Sequence, residues 1–269
     1  MRRSTKQDHK IRSFFKELWT FRDLLILLVQ KNVKLKYRRS FLGYIWSILN
    51  PLLVMLVMVV VFSSLFRREI ENYPVYLFTG QLLFSFMTTS TQTAANSIIE
   101  NSGMLRKART PKHIFTIAKV TGAAVELLFS MGALIVIMLA TNAPFSWCML
   151  LSPLVLLQLY IFCIGLGLFL AQACVFFQDI GFIYRAFTTM WMYLTPLFYP
   201  IEALPQWAAS IIRTANPMYL YISQFRSLVY LRQMPKGHDV LMGCGFALVF
   251  LFLGIRSFTK TEDKFIFYI

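Results

Sequence analysis

Few residues in this sequence are of a type that does chemistry, and their spacing keeps them apart. Glu126 is the only carboxylate between residues 114 and 178. An ionisable side chain inside an apolar stretch is a functional candidate by default. Glu126 suits a proton relay, a structural polar pairing or a polar contact facing a channel, and a single carboxylate is thin for a proton-coupled pump. Arg38 and Arg39 are adjacent, and two guanidinium groups suit a diphosphate through bidentate geometry. They suit anchoring to anionic lipid headgroups equally well. Cys148, Cys163, Cys174 and Cys244 have no CxxC spacing, and His9, His113 and His238 are scattered. This pattern predicts neither a metal site nor a disulfide framework, and the cysteines read as small buried hydrophobes. No Gly-x-x-x-x-Gly-Lys-[Ser/Thr] loop occurs, and Gly165 and Gly167 sit in an apolar run with no following Lys. They read as packing glycines, and the chain is not expected to hydrolyse ATP alone.

Aromatic residues make up 16% of the chain and gather where apolar runs begin and end. Tyr37, Phe41, Tyr44 and Trp46 form one group, and Trp191, Tyr193, Phe198 and Tyr199 form another. An interfacial aromatic belt accounts for such placement. Flat rings that stack on the C–H faces of sugars account for it too, and would suit a sliding polymer. Periodicity alone leaves both readings open.

The elements that would carry these residues are read from the hydropathy pattern. The chain has 269 residues, 57% hydrophobic and 14% charged, whereas a soluble domain is about a quarter charged. Pro51–Phe66, Val75–Ile99 and Cys148–Phe177 contain no Lys, Arg, Asp or Glu. Such stretches predict an all-α integral membrane fold with six transmembrane helices. The spans are expected over about 47–66, 74–98, 114–141, 145–177 (tilted or broken near Pro153), from about 182 to 195, and 240–255. Residues 11–29 repeat apolar positions at helical spacing (Ile11, Phe14, Phe15, Leu18, Leu25, Leu28), which predicts an amphipathic helix lying in the interface. Residues 196–232 are too broken by proline to span simply and too apolar for a free loop. One or two short re-entrant or gate helices are expected there, between spans five and six. Twelve of the 27 Lys and Arg residues lie within residues 1–39. On the six-span topology 21 of the 27 fall on one side, which predicts that both termini are cytosolic in the cytoplasmic membrane. The same clustering argues against a nucleic-acid partner despite a net charge of +15. The expected organisation is a cytosolic tail and interfacial helix over 1–46, a transmembrane domain over 47–256 and a cytosolic tail over 257–269.

Several segments, taken in order, resemble one family. Lys36 to Pro51 (KYRRSFLGYIWSILNP) resembles the approach to the first helix of ABC-2 type permeases, above all those exporting lipid-linked polysaccharides such as O antigens, capsules and teichoic acids. Asn101 to Lys107 with Thr110-Pro111-Lys112 resembles that family's cytosolic coupling helix, and Phe177 to Ile180 resembles its turn before span five, with Gln178 standing where Arg is usual. Pro196 to Pro200 with Asn216-Pro217-Met218 resembles its outer gate. The resemblance implies a homodimer, a partner ATPase with two subunits that bind ATP and Mg, and no cofactor on this chain. It also implies a coupling segment over 100–113 in which Asn101, Met104, Leu105, Arg106 and Lys107 meet the ATPase. Arg38 and Arg39 would then lie where a lipid-linked diphosphate arrives. An ABC-2 permease for a drug or small lipid shares this fold. A proton-coupled transporter would hinge on Glu126, and a membrane glycan-modifying enzyme would need an acid/base pair that the sequence does not offer.

Overall fold

The computed structural model describes residues 13–37, 43–66, 70–107 and 110–268; for residues 36, 37, 44, 47 and 62–66 it describes the backbone only. Ile11, Arg38 and Arg39 lie outside these residues. The described chain is helical, with no strand among the described residues. A helix over 13–20 (α1) turns at Phe21 into α2 (Arg22–Tyr37). The long helices are α3 (Trp46–Phe66), α4 (Tyr73–Ala95), α7 (His113–Ala140), α8 (Ser152–Phe176), α9 (Asp179–Leu194) and α12 (Gly237–Thr261). Between α4 and α7 lie the short α5 (Ser97–Glu100) and α6 (Ser102–Lys107). Between α9 and α12 lie α10 (Gln206–Ala215) and α11 (Pro217–Val229).

Among the described residues, three segments suffice by length and composition to cross a membrane: His113–Ala140, Trp147–Phe176 and Gly237–Phe267. About 20 residues are needed to cross the hydrocarbon core. α4 has 23 residues, but its middle is rich in Ser, Thr and Gln, which lowers its mean hydropathy. The boundaries follow local chemistry. Pro153 stands in the first turn of α8, where its missing N–H costs nothing. A 3-10 turn over Trp147–Leu151 precedes it, capped by the Ser146 side chain, so the run expected over 145–177 is broken where Pro153 predicts. The run expected over 74–98 breaks at Asn96, which separates α4 from α5. Asn72 and Asn142 take left-handed backbone angles in the turns before α4 and after α7, a conformation asparagine adopts more readily than bulkier residues.

The core is built by α4, α7, α8, α11 and α12. Its tightest seam is α8 against α12. A Cβ added to Gly165 would lie 2.3 Å from the Phe250 carbonyl carbon, and one added to Gly254 would lie 2.1 Å from the Gly165 oxygen. The two backbones touch, as small residues allow in membrane helix pairs. Gly167 serves the α8–α4 contact in the same way, 2.9 Å from the Ala94 methyl. α3 and α9 stand outside this frame. No side chain described on α3 is buried, and α9 buries only Gly181, Tyr184 and Thr188.

Candidate functional site

One face of α4 carries a polar stripe inside the bundle. Gln81, Ser85, Thr88, Thr89 and Gln92 recur at helical spacing along it. α3 lies across this face and leaves a cleft on each side. Towards α7, a cleft of about 520 Å³ is lined by Trp46 and Asn50 of α3, by Gln81, Ser85 and Thr89 of α4, and by Glu126 and Ser130 of α7. Towards α9, a cleft of about 290 Å³ shares Val54, Gln81, Ser85 and Thr89 with the first, and adds Thr88, Gln92, Thr188, Leu197 and Phe198. The Gln81 side-chain oxygen (Oε1) and the Thr88 hydroxyl are buried without a hydrogen-bond partner among the described residues. Polar groups held dry in this way cost about 1–3 kcal/mol each, which a ligand or water offering hydrogen bonds would recover. Glu126 is half-buried in the first cleft, beside the amides and hydroxyls of α4. The α4 stripe was available to sequence reasoning as a run of neutral polar residues at helical spacing inside an uncharged stretch.

α9 is fastened to the polar face by hydrogen bonds. Tyr184 and Thr91 pair through their hydroxyls at 2.8 Å, and the Gln92 amide donates to the Thr188 hydroxyl at 3.0 Å. Its opposite face leaves Phe182, Ile183, Phe187, Met190, Tyr193 and Leu194 exposed. α3 likewise exposes Leu53, Leu56, Val57, Val60 and Val61.

The expected aromatic surface divides. Trp46, 40% exposed, and Phe198, buried, line the two clefts. Trp191 turns away: its indole N–H donates to the Asn216 side-chain oxygen at 3.0 Å, and its ring packs edge-on to Phe84. The Tyr199 hydroxyl donates to the Tyr193 carbonyl at 3.0 Å, and the Tyr193 ring lies beside Phe198. Tyr37 and Tyr44 are placed by backbone alone, at the end of α2 and in the 3-10 turn before α3. The diphosphate reading of Arg38 and Arg39 falls outside the described residues.

At the opposite end of α4, Asn101 starts α6. Its carbonyl accepts from the Met104 and Leu105 amides, and its side-chain amide donates to the Ser97 carbonyl at 2.8 Å. Met104, Arg106 and Lys107 face outward, whereas Leu105 turns inward at 6% exposure. Leu105 joins a core with Ile98, Ile114, Phe115, Phe14, Phe258 and Phe265. That core ties the short helix to α1, to the start of α7 and to the end of α12, with the His113 ring tilted against Phe14, centroids 4.2 Å apart. Glu100 and Lys119 pair at 2.7 Å beside it. Of the apolar positions that repeat along α1–α2, Phe14 and Leu28 are buried, while Phe15 is exposed together with Trp19.

Sequence reasoning passed over Arg226 and reached Asn216 only through the resemblance to an outer gate. Arg226 of α11 is buried, and its guanidinium bonds go to backbone carbonyls: Tyr76 at 3.1 and 3.3 Å, Pro196 at 2.8 Å and Leu197 at 2.8 Å. It also stacks over the Tyr76 ring, 3.6 Å from the centroid. Asn216 caps α11 by accepting from the Met218 and Tyr219 amides, and donates to the Thr195 hydroxyl at 3.0 Å. No local pattern announces Arg226, because its partners lie far away in sequence; Asn216-Pro217 is a recognisable N-cap pair.

Comparison with known proteins agrees with this architecture. Residues 23–230 match the ABC-2 type transporter family. The chain is 30% identical over 251 residues to the O-antigen export system permease protein RfbA of Myxococcus xanthus, covering 93% of this chain and 96% of that one. It is 26% identical to the capsule polysaccharide export inner-membrane protein CtrC of Neisseria meningitidis serogroup A, over 75% of this chain and 77% of the relative. It is 22% identical to the polysialic acid transport protein KpsM of Escherichia coli, over 88% and 92% of the two chains. With the family matched across most of its length and the helical frame in place, this chain belongs to the ABC-2 type transporter membrane proteins.

Proposed function

We propose that this chain is the permease subunit of an ATP-driven exporter that moves lipid-linked polysaccharide across the cytoplasmic membrane. The relatives named for O-antigen and capsule export, aligned over most of their lengths, support that substrate class. The observation that carries the reading is the uncharged polar stripe of α4 under the lightly packed α3 and α9. A neutral polyol needs hydrogen-bonding amides and hydroxyls with an occasional ring to stack on, and Gln81, Ser85, Thr89, Asn50 and Trp46 offer that set.

In this reading the chain crosses the membrane six times, with α3, α4, α7, α8, α9 and α12 as spans, both termini cytosolic and α1–α2 lying in the interface against lipid. The divisions 1–46, 47–256 and 257–269 follow. Residues 196–232 close the outer side. A second copy packs against the apolar faces of α3 and α9, so that two α4 faces flank one path. Residues 100–113 dock on a separate ATPase pair, whose subunits bind ATP and Mg. Met104, Arg106 and Lys107 make the contact, and Leu105 passes the push into the core shared with α1 and α12. Two arginines at 38 and 39 would meet the carrier's diphosphate or lipid headgroups.

Reconstitution tests this. Purified permease and ATPase in vesicles should move a lipid-linked polysaccharide only when ATP and Mg are supplied. Transport driven by a proton gradient without ATP would overturn the reading in favour of a Glu126-centred transporter. ATP-driven movement of small amphiphiles with no movement of polysaccharide would favour the drug or small-lipid permease.

A further inference from the structure

The Arg226 site is built more heavily than a surface-facing helix end requires. α9 stops at Leu194 because Pro196 has no N–H with which to continue it. The chain then runs through bent, non-helical backbone from Thr195 to Pro200, leaving carbonyls that a buried environment must satisfy. Arg226 satisfies two of them, at Pro196 and Leu197, and reaches the Tyr76 carbonyl on α4 with the same guanidinium. Two tyrosines of α4 complete the fastening: the Tyr73 hydroxyl donates to the Phe198 carbonyl at 2.8 Å, and the Tyr76 hydroxyl donates to the Tyr199 carbonyl at 3.0 Å. Gly80 leaves the room needed, since a Cβ there would lie 2.7 Å from an Arg226 guanidinium nitrogen and 3.2 Å from Leu197. The held segment is the one whose Leu197 and Phe198 side chains border the polar cleft at the Tyr73 end of α4.

We infer that Arg226 is a positioning residue that latches the Leu197–Phe198 segment across the outer end of the polar path, so that transport requires its carbonyl bonds to be exchanged. All the bonds that hold the segment to α11 and α4 are side chain to backbone. Releasing the segment therefore means exchanging those bonds and withdrawing the buried Leu197 and Phe198 side chains from their places in the core. A planar fork is required, because one group must reach three carbonyls on two elements. Lysine places a single ammonium there and cannot span them. The inference rests on reading the α4 cleft as the path.

The test uses the complete permease–ATPase complex reconstituted into vesicles loaded with radiolabelled sucrose. Wild type should hold sucrose without ATP. Losing even one charge-assisted hydrogen bond shifts a two-state segment by about tenfold, so Arg226→Gln should leak sucrose at least about tenfold faster without ATP, and Arg226→Lys should not restore the seal. Tyr73→Phe with Tyr76→Phe removes two of the same segment's bonds while leaving Arg226 in place, and should leak in the same direction. That pair keeps the test decisive if Arg226→Gln does not fold. Tight vesicles from folded Tyr73→Phe/Tyr76→Phe complex, or from folded Arg226→Gln complex, would overturn the latch. Failure of the wild-type complex to move polysaccharide with ATP would instead count against the path itself, so the two failures are separable.

Discussion

The α8–α12 seam and the α3–α9 wall are built from opposite materials. Along the seam, Gly165 and Gly254 bring backbones into contact, and Phe162 and Phe250 close over them with ring centroids 4.8 Å apart. Nothing there can slide without a steric clash. Along the wall, α3 buries none of its described side chains, and α9 is attached to α4 through Tyr184, Thr188 and their hydrogen bonds. In a bilayer each such bond contributes about 0.6 kcal/mol, because alternative partners are available. Close-packed interiors behave as rigid bodies, whereas elements held by a few exchangeable bonds move at small cost. A close-packed frame and a lightly held wall are thereby separated within one bundle, and the polar stripe of α4 lies at their boundary.

Breaking the seam should have the largest effect. Gly254→Val places carbon where the Gly165 carbonyl stands, and overpacking of this kind costs roughly 1–3 kcal/mol even where side chains can give way. Backbone cannot give way as easily, so the expected outcome is loss of folded permease, measured as monodisperse protein after extraction. Next comes the coupling segment. Met104→Asp with Arg106→Glu alters outward-facing side chains, so the permease should remain folded while co-purification of the ATPase falls by about thirtyfold, as expected when an interface hot spot is removed. Leu105→Asp should instead damage folding itself, because Leu105 sits in the core with Phe14 and Phe258. Within the wall, Gln81→Leu with Thr89→Val should cut export by at least about fivefold while leaving thermal stability unchanged or raised, since a buried unpartnered amide oxygen is removed. The smallest effect is assigned to Glu126→Gln, which keeps hydrogen-bonding capacity in the first cleft. ATP-driven export should stay within about threefold of wild type, and abolished export would point to proton coupling.

Much of this organisation was readable in the residues, and what was hidden has identifiable reasons. The expected third span, 114–141, differs from α7 by one residue at each end, because a long apolar run bounded by Lys112 and by Asn142-Ala143-Pro144 has few ways to end. Pro153 marked the change from the 3-10 turn to α8. Asn96 was silent, since an asparagine inside an apolar run resembles any tolerated polar residue until α4 and α5 part around it. The inward turn of Leu105 was also hidden: a six-residue helix carries too short a pattern to fix its buried face. Arg226 was the deepest omission. It counted as one outer cation, yet its partners at Tyr76, Pro196 and Leu197 come together only through the fold. Gly80 gains its meaning from the same contact.

The claim that the α4 stripe is the path is tested most directly by photocrosslinking. A photoreactive amino acid at Ser85 or Thr89 of the assembled complex, supplied with ATP and labelled lipid-linked polysaccharide, should trap the polymer during turnover, whereas the same group at the exposed Leu248 of α12 should trap lipid alone. Polymer captured at Leu248, with none at Ser85 or Thr89 in a complex that is exporting, would contradict the account.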